Sequence, residues 1–289
     1  MTIRYGDSLG RWPAEMVAHV RAVAAGEIEV PEPRHASTVV LLRDAAEGSG
    51  VEAYLLRRQK TMAFAAGMYV FPGGAVDPRD EALAESSWVG PAPKEWAGVL
   101  TAETALAMAL VCAAVRETFE ESGVVLAGPS ADEVVADITD AAWEADRLAL
   151  LDRSLSLAEM LDRRSLVLRA DLLRPWAHWI TPVVELRRYD TRFFVAALPE
   201  GQRTRDVGGE ADRVVWMRPR AALDAYEAGE IGLMPPTAFT LMEMSAYDSV
   251  AEVIAAGDAR DVQPVLPKIV LTDDDEARIL LPHHEGYSE

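Results

Sequence analysis

The stretch AAVRETFEESGV, residues 113–124, closes a strongly helix-forming segment that begins at Glu103. Glu117, Glu120 and Glu121 stand at positions i, i+3 and i+4, so a helix places their carboxylates on one face. Like charges repel at this spacing, which favours a neighbouring cation, and Mg²⁺ or Mn²⁺ prefers such oxygen ligands. Acidic runs on helices more often face solvent, so the triplet alone leaves a metal site and a solvated face both open.

A second stretch, MYVFPGGAVD at residues 68–77, predicts a short strand that stops at Pro72-Gly73-Gly74. Glycine lets the backbone approach a metal or a phosphate closely. The segment that precedes the acidic triplet is almost wholly apolar, which predicts a helix packed on a core with its acids at the end. We therefore expect the two stretches to meet and to act together.

Composition and charge narrow the classes of function. The chain has 289 residues, a formal net charge of −19 and 50% hydrophobic residues, which is a globular balance. The negative charge opposes binding to a nucleic-acid polymer or an anionic membrane, but it does not exclude a nucleotide. Cys112 is the single cysteine, which rules out an intrachain disulfide and a cysteine-based zinc site, and its apolar surroundings predict a buried structural thiol. The chain shows no signal-peptide segment, so we expect a cytoplasmic protein.

Strands and helices are mixed along the chain without regular alternation, which predicts an α+β fold. Residues 78–102 are rich in Pro, Gly and acidic residues and predict an exposed inserted loop, whereas 131–174 predict helices. The other predicted helices are 13–25, 103–122, a helix from Pro219, 235–247 and 249–257, and the predicted strands are 37–43, 51–58, 68–71, 178–184, 191–198, 213–217, 268–271 and 277–281.

Gly74 together with the run Arg116-Glu117-Thr118-Phe119-Glu120-Glu121-Ser122-Gly123-Val124 resembles the Nudix box. Thr118 stands at an aliphatic position of that pattern, and Asp80 stands at its earlier acidic position. The 35 residues from 81 to 115 replace a short spacer of the family pattern. The peroxisomal coenzyme A diphosphatases of animals have a box that is split in a similar way. The approach to Gly74 and the stretch TRFFVAALP at 191–199 are also similar to that branch, so the resemblance spans roughly residues 37–240.

The resemblance implies a Nudix-type α/β/α sandwich with a mixed central sheet, a helical insertion and added C-terminal helices. The implied organisation is an N-terminal helical extension at 1–34, a catalytic domain at 35–220, and a C-terminal helical extension and tail at 221–289 packed on the core. Insertions are expected at about 81–102 and about 131–174. Apolar, Met-rich helices near 233–256 raise the possibility of a homodimer.

The resemblance also implies a divalent-metal-dependent diphosphatase. Glu117, Glu120 and Glu121 would hold Mg²⁺ or Mn²⁺ with a backbone carbonyl near Gly74, and Glu120 or Glu121 would orient the attacking water. Arg116 would hold a glutamate in place, a task that Asp80 could share. Glu210 would be a further ligand or base, with a surface loop acid as the alternative.

The implied substrate is a small nucleoside diphosphate derivative, coenzyme A or acyl-coenzyme A, cleaved to 3′,5′-ADP and (acyl-)4′-phosphopantetheine. Arg58 is the first candidate for the 3′-phosphate, with Arg57, Lys60 and Arg192 as weaker ones. Other expected substrate-binding residues are Phe64, Gly67 and Gly73. Trp176, Trp179 and Phe194 could stack on adenine, but aromatic residues in strands are usually core.

Two alternatives remain open. Ala63 stands where another coenzyme A signature of the wider family has an arginine, which favours an ADP-ribose, NADH or nucleotide-sugar pyrophosphatase. A non-catalytic nucleotide-binding module of the same fold is the other alternative. Such modules usually lose glutamates of the box, and this chain keeps them.

Overall fold

The mixed strands and helices predicted from the sequence are present in the structure, a computed structural model that describes residues 8–11, 13–61, 65–205, 208, 211–282, 284 and 287. The chain divides into two compact units. The first contains the described residues of 1–35, 178–191 and 263–289, and the second contains those of 36–177 and 192–262. The predicted domain boundaries at residues 34 and 220 stay predictions.

Eight α-helices lie within the described residues: α1 Ala14–Ala24, α2 Pro93–Leu100, α3 Thr104–Ser122, α4 Ala141–Leu151, α5 Leu157–Arg163, α6 Pro219–Glu227, α7 Pro235–Met244 and α8 Val250–Asp258. Short 3₁₀ helices occupy Pro78–Ala82, Glu85–Ser87 and Ala170–Leu172. The strands are β1 Ser8–Arg11, β2 Arg34–Asp44, β3 Val51–Arg58, β4 Met68–Val70, β5 Gly73–Ala75, β6 Trp88–Val89, β7 Ala127–Gly128, β8 Val167–Arg169, β9 Arg174–Ile180, β10 Tyr189–Ala197, β11 Ala211–Met217, β12 Gly232–Leu233, β13 Pro264–Val265, β14 Lys268–Leu271 and β15 Glu276–Leu280.

The second unit is built around a mixed sheet. Its strands run in the order β12-β4-β3-β2-β10-β9, with β11 also paired to β3 and β5 also paired to β2. β12 pairs with β4 in parallel, whereas β3 pairs with β2, β4 and β11 in antiparallel fashion. Side chains on both faces of β2 and β3 are buried, as expected for a sheet covered on both sides. The predicted α+β class with a mixed sheet is confirmed.

Helix α3 provides much of the core of this unit. Its apolar residues join Val39, Leu41 and Tyr54 of the sheet in one buried cluster. The Ser37 hydroxyl on β2 donates to the carbonyl O of Leu110 at 2.6 Å, which fixes the helix against the strand. The chain after β4 does not simply stop at Pro72-Gly73-Gly74, because Gly73 and Gly74 continue as β5 and pair with Thr38 and Ser37.

The segment 78–102, predicted to be a largely exposed loop, does have many exposed residues, but it is not a loop. This segment contains two 3₁₀ helices, strand β6 and helix α2, and α2 packs on α3. Pro93, Trp96 and Leu100 are buried on one side of α2. Their spacing is helical, but the surrounding Pro, Gly and acidic residues hide the apolar stripe.

The segment 131–174 contains the predicted helices as α4 and α5, and it adds a strand, β8. β8 pairs in parallel with β6 and in antiparallel fashion with β7. This small sheet joins the first inserted segment to the second. Strand β9 also starts earlier than predicted and ends before Pro182, because proline cannot donate to a strand ladder.

The C-terminal part contains the three predicted helices and the two predicted strands, and it adds the short strands β12 and β13. α6, α7 and α8 lie in the second unit, and Leu241 and Met244 of α7 are fully buried within the chain. Packing within one chain therefore explains part of the apolar character of 233–256, and a homodimer stays a prediction. In the first unit, β15 pairs with β1 and β14, and α1 contacts β14.

Among the described helices, none has by itself the length and apolar character to cross a membrane. The pair α2 and α3, bent by 91°, passes that test by length and composition alone.

Candidate active site

The last turns of α3 carry the acidic triplet, and the local sequence explains where the helix ends. Alanine and leucine favour the helix, and Gly123 stops it with a left-handed φ of 73°. Thr118 is fully buried, and its hydroxyl donates to the carbonyl O of Ala114 at 2.7 Å. This bond satisfies a polar group at the position where the family pattern has an aliphatic residue.

The two stretches singled out in the sequence meet at this end of α3. The Gly73 N–H donates to Oε2 of Glu121 at 2.8 Å. At Gly74 an added Cβ atom would lie 2.5 Å from Oε1 of Glu117, so the backbone approaches that carboxylate as closely as a glycine allows. The expected meeting of the acids with the Gly-Gly segment is therefore confirmed.

Arg116 organises the carboxylates around it, and every one of its N–H groups has a partner. Nε and Nη2 donate to Oδ1 and Oδ2 of Asp80, both at 2.9 Å. Nη1 donates to Oε1 of Glu117 at 2.6 Å and to Oε1 of Glu120 at 3.2 Å. Nη2 also donates to the carbonyl O of Ala75 at 3.0 Å. Arg116 thus joins the 3₁₀ helix Pro78–Ala82, the end of β5 and the acids of α3, although the insertion separates Asp80 from it in sequence.

Burial of this cluster disfavours the charged forms of its side chains and shifts their pKa values. Burial raises the pKa of Glu117 to about 7, against the opposing effect of Arg116. Burial also raises the pKa of Glu120, again opposed by Arg116. Burial disfavours the charge on Arg116, but the hydrogen bond to Asp80 and the nearby glutamates raise its pKa, so it stays cationic. The site holds more carboxylate charge than one guanidinium balances, which favours a further cation.

The residues fit a hard divalent cation in chemistry. Glu117, Glu120 and Glu121 offer carboxylate oxygens within two turns of α3. In the described part of the chain, however, no three Asp, Glu, His or Cys side chains already converge as a finished metal site. Nη1 of Arg116 bonds Oε1 of Glu117 and Oε1 of Glu120, so a cation that keeps these contacts would be held through the other oxygen of each carboxylate.

The predicted substrate residues are only partly near this cluster. Gly73 is part of it, as described above. Arg58 lies half-buried at the end of β3, and its carbonyl O accepts the N–H of Gly67 at 3.0 Å. Gly67 has a φ of 74°, which suits glycine at this turn. Phe64 and Glu210 lie outside the described residues.

The position of Arg192 differs from the prediction that this residue binds substrate. It is only 4% exposed, and its Nε and Nη2 donate to the carbonyl O of Leu100 at 3.3 and 3.2 Å. Arg192 therefore binds the end of α2 inside the protein, which does not support the predicted contact with substrate. A basic residue in a strand gives no local sign of this role.

The residues for which the sequence favours a structural role are buried in the protein. Trp176, Trp179 and Phe194 are buried, which supports the core interpretation over adenine stacking. Cys112 is 1% exposed, and burial raises the pKa of its thiol, which keeps the group protonated. The sequence prediction missed Arg147 of α4, which donates to the carbonyl O of Glu120 at 2.9 Å. No local pattern marks a contact between residues so far apart in sequence.

Comparison with known proteins gives a consistent result. The family model described as the NUDT19 Nudix domain matches residues 94–244. The acyl-coenzyme A diphosphatase NUDT19 of Xenopus laevis is 25% identical over 244 residues, which cover 71% of this chain and 62% of that protein. The protein of the same name from Homo sapiens is 28% identical over 286 residues, which cover 83% of this chain and 73% of that protein.

A solved structure supports the fold. The crystal structure of a NUDIX hydrolase from Alicyclobacillus acidocaldarius aligns with a TM-score of 0.66 and 26% sequence identity. The alignment covers 78% of this chain and 97% of that chain. The aligned share of this chain is larger than the part that the family model matches.

Proposed function

The chain belongs to the NUDT19 Nudix domain family, and on that premise we propose that it is a divalent-metal-dependent diphosphatase acting on coenzyme A or acyl-coenzyme A. The proposed reaction hydrolyses the pyrophosphate bond and releases 3′,5′-ADP and (acyl-)4′-phosphopantetheine. The relatives from Xenopus laevis and Homo sapiens, both named as acyl-coenzyme A diphosphatases, support the choice of substrate.

One observation carries the proposal. Glu117 and Glu121 of α3 lie against the Gly73-Gly74 backbone. Arg116, paired with Asp80, bonds Glu117 and Glu120. The site keeps Arg116 and all three glutamates of the box, which a module that only binds nucleotides does not require. This is the feature that favours an enzyme.

In the proposed mechanism, Glu117, Glu120 and Glu121 would hold Mg²⁺ or Mn²⁺. A cation held there would supply positive charge against the pyrophosphate and would lower the pKa of a water molecule. Glu120 or Glu121 orients that water, and Arg116 keeps its neighbouring carboxylates oriented through charge-assisted hydrogen bonds. Gly74 lets the backbone come close to the site, which no residue with a side chain would permit. A role for Glu210 as further ligand or base stays a prediction.

Recognition of the coenzyme A end is proposed for the turn that follows β3. Arg58 would contact the 3′-phosphate, with Phe64 and Gly67 shaping the same turn. The hydrogen bond from the Gly67 N–H to the Arg58 carbonyl O supports a fixed geometry for this turn.

A substrate panel tests the proposal. We would incubate the purified protein with acetyl-coenzyme A, coenzyme A, ADP-ribose, NADH and ATP, with and without Mn²⁺, and identify products by chromatography. We expect Mn²⁺-dependent release of 3′,5′-ADP, fastest from the coenzyme A compounds. Faster turnover of ADP-ribose or NADH would overturn the coenzyme A assignment and leave the hydrolase in place.

The variant Glu120→Gln separates an enzyme from a binding module. We expect kcat to fall by about 10²–10⁴-fold, the usual effect of losing a group that handles a proton in the transition state. A protein that only binds nucleotides would show no turnover to lose and only a modest change in ligand affinity.

A further inference from the structure

We infer that Arg147, a residue of α4 outside the box, is a positioning residue for the carboxylates at the end of α3. The inference rests on the proposed function, in which those carboxylates hold the divalent cation. It assigns to the second inserted segment a specific task at the active site.

The contacts of Arg147 are well defined. Its side chain is fully buried, and Nη1 donates to the carbonyl O of Glu120 at 2.9 Å. Nε and Nη2 donate to Oε2 and Oε1 of Glu144 at 2.9 and 2.6 Å, one turn earlier on α4. A buried guanidinium requires such a partner, since an unpaired buried charge is strongly unfavourable. Glu144 therefore pairs with the buried guanidinium and fixes the direction of its third bond.

The carbonyl that Arg147 binds lies in the last turn of α3, where carbonyl groups lack partners within the helix. Other groups satisfy two neighbouring carbonyls. The Gly123 N–H donates to Phe119, and the Arg205 N–H donates to Ser122, both at 2.9 Å. Arg147 supplies the corresponding bond to Glu120. Its positive charge at the C-terminal end of a helix is also favourable towards the helix dipole.

The same turn carries Glu120 and Glu121, two of the three acids of the proposed metal site. Glu120 uses its carbonyl O for Arg147 and its carboxylate for Arg116, so the two arginines hold one residue from both its backbone and its side chain. Glu121, the next residue, accepts the N–H of Gly73. A backbone that is held in place at Glu120 therefore sets the positions from which the side chains of Glu120 and Glu121 extend. Loss of the Arg147 bond would let this turn fray.

A second contact makes α4 a rigid support for Arg147. Trp143 of α4 packs edge-to-face on Phe119 of α3, with ring centroids 5.9 Å apart. The guanidinium of Arg164 lies over the Trp143 ring, 3.6 Å from its centroid. Position and direction of the Arg147 side chain are therefore set by packing as well as by Glu144.

The test uses Arg147→Met, which keeps the buried volume and removes the donors, with Arg147→Lys as the milder change. Arg163→Met is the matched control, because Arg163 of α5 pairs with Asp146 of α4, the helix that also carries Arg147. Two quantities would be measured on the metal-free protein: amide hydrogen exchange in residues 117–123 and the Kd for Mn²⁺, from the electron paramagnetic resonance signal of the free ion. Neither requires turnover.

For Arg147→Met we expect exchange in this turn to rise about 10-fold, as for the loss of one charged hydrogen bond. We expect the Kd for Mn²⁺ to rise by about 10-fold or more, the usual effect of losing support behind a metal ligand. Arg147→Lys should fall between Arg147→Met and wild type, and Arg163→Met should stay within about two-fold of wild type.

Unchanged exchange and an unchanged Kd in folded Arg147→Met would overturn the inference, even if the variant unfolds at a lower temperature. If Arg147→Met does not fold, Arg147→Lys and Glu144→Gln decide by the same two measurements. Failure of the wild-type protein to bind Mn²⁺ or to cleave coenzyme A compounds would count against the proposed function. The exchange data would still decide whether Arg147 holds the end of α3.

Discussion

Gly74 lies so close to Glu117 that no side chain fits there. An added Cβ atom would come within 2.5 Å of Oε1 and 2.6 Å of Cδ of that glutamate. We predict that Gly74→Ala displaces the carboxylate and weakens Mn²⁺ binding by about 10-fold or more, a loss typical of a disturbed metal ligand. The Kd for Mn²⁺ would be measured by titration, with circular dichroism to establish that the variant folds.

Gly98 on α2 offers the matched control. A Cβ atom there would meet nothing within 4 Å. Gly98→Ala should leave the Kd for Mn²⁺ unchanged and stabilise the protein by up to about 1 kcal/mol, since alanine is the better helix former. Equal Mn²⁺ affinity of Gly74→Ala and Gly98→Ala would show that the close approach at Gly74 has no bearing on the site.

Asp80 tests which effect dominates in the acidic cluster. Its carboxylate is 3% exposed, accepts two bonds from Arg116 and also accepts the N–H of Asp77. Asp80→Asn removes one negative charge from a crowded cluster, but it also leaves donors of Arg116 without a good acceptor. We predict that the loss of these hydrogen bonds outweighs the relief of repulsion between carboxylates, so that the free energy of unfolding falls by about 2–3 kcal/mol. Urea denaturation measures the change, and Glu81→Gln, an exposed neighbour, is the control. A more stable Asp80→Asn would mean that carboxylate repulsion is the larger effect.

Helix α2, inside the segment that splits the box, contributes to the core through Trp96. The indole is 3% exposed and packs edge-to-face on Phe194 with ring centroids 5.7 Å apart. Its Nε1–H is buried without a hydrogen-bond partner among the described residues. Trp96→Ala should therefore lower the free energy of unfolding by about 3–5 kcal/mol. Trp96→Phe keeps a ring and removes the unpaired donor, so it should lower that energy by less than about 1.5 kcal/mol. Similar losses for both variants would contradict this account of the packing.

Asp77 caps the start of the 3₁₀ helix Pro78–Ala82, which carries Asp80. Hydrogen bonds from Arg79 hold the pKa of the Asp77 carboxyl well below its ordinary value. A lowered folded-state pKa gives stability that is fully present above the unfolded pKa of about 3.9 and is lost as the pH falls through the folded pKa. We predict that Asp77→Asn is less stable than wild type between about pH 5 and pH 8, and that the difference shrinks below about pH 4.

Urea midpoints at a series of pH values measure this difference. Asp137→Asn is the comparison at an exposed site, where hydrogen bonds from Thr139 also lower the pKa of the carboxyl, and it should show a smaller pH dependence. A stability difference between wild type and Asp77→Asn that does not depend on pH would show that Asp77 acts through its shape and not through its charge.

The local sequence pattern predicted the elements of the site. Contacts between residues far apart in sequence hold those elements in place, and the local pattern does not show them. Helix α3, its acidic face and its glycine stop follow from helix propensity and spacing, and the Gly-Gly segment follows from composition. Helix α2 was missed because Pro and Gly around it mask a short apolar stripe. Arg147 was missed and Arg192 was misassigned for one reason: each acts on a backbone carbonyl far away in sequence, and no local pattern encodes such a partner.

At the level of the whole chain, the formal net charge of −19 sets a background of self-repulsion. Monovalent salt screens this repulsion in a general way, with a Debye length of about 8 Å at physiological ionic strength. A divalent cation at the proposed site would act differently, because it binds the folded state at one place and stabilises it by mass action. The two effects can be separated by adding the divalent cation at a concentration too low to change the ionic strength appreciably.

We predict that about 1 mM Mn²⁺, added in about 150 mM NaCl, raises the unfolding temperature although it hardly changes ionic strength. If that concentration is about a hundred times Kd, the stabilisation is about 2.7 kcal/mol. Differential scanning fluorimetry at rising Mn²⁺ concentration measures the shift, and it should be removed by a chelator. Glu120→Gln should keep the response to NaCl, since its net charge differs little, but lose most of the response to Mn²⁺. An equal response of wild type and Glu120→Gln to Mn²⁺ would mean that the cation only screens the acidic surface, and the acids at the end of α3 would then not form a specific metal site.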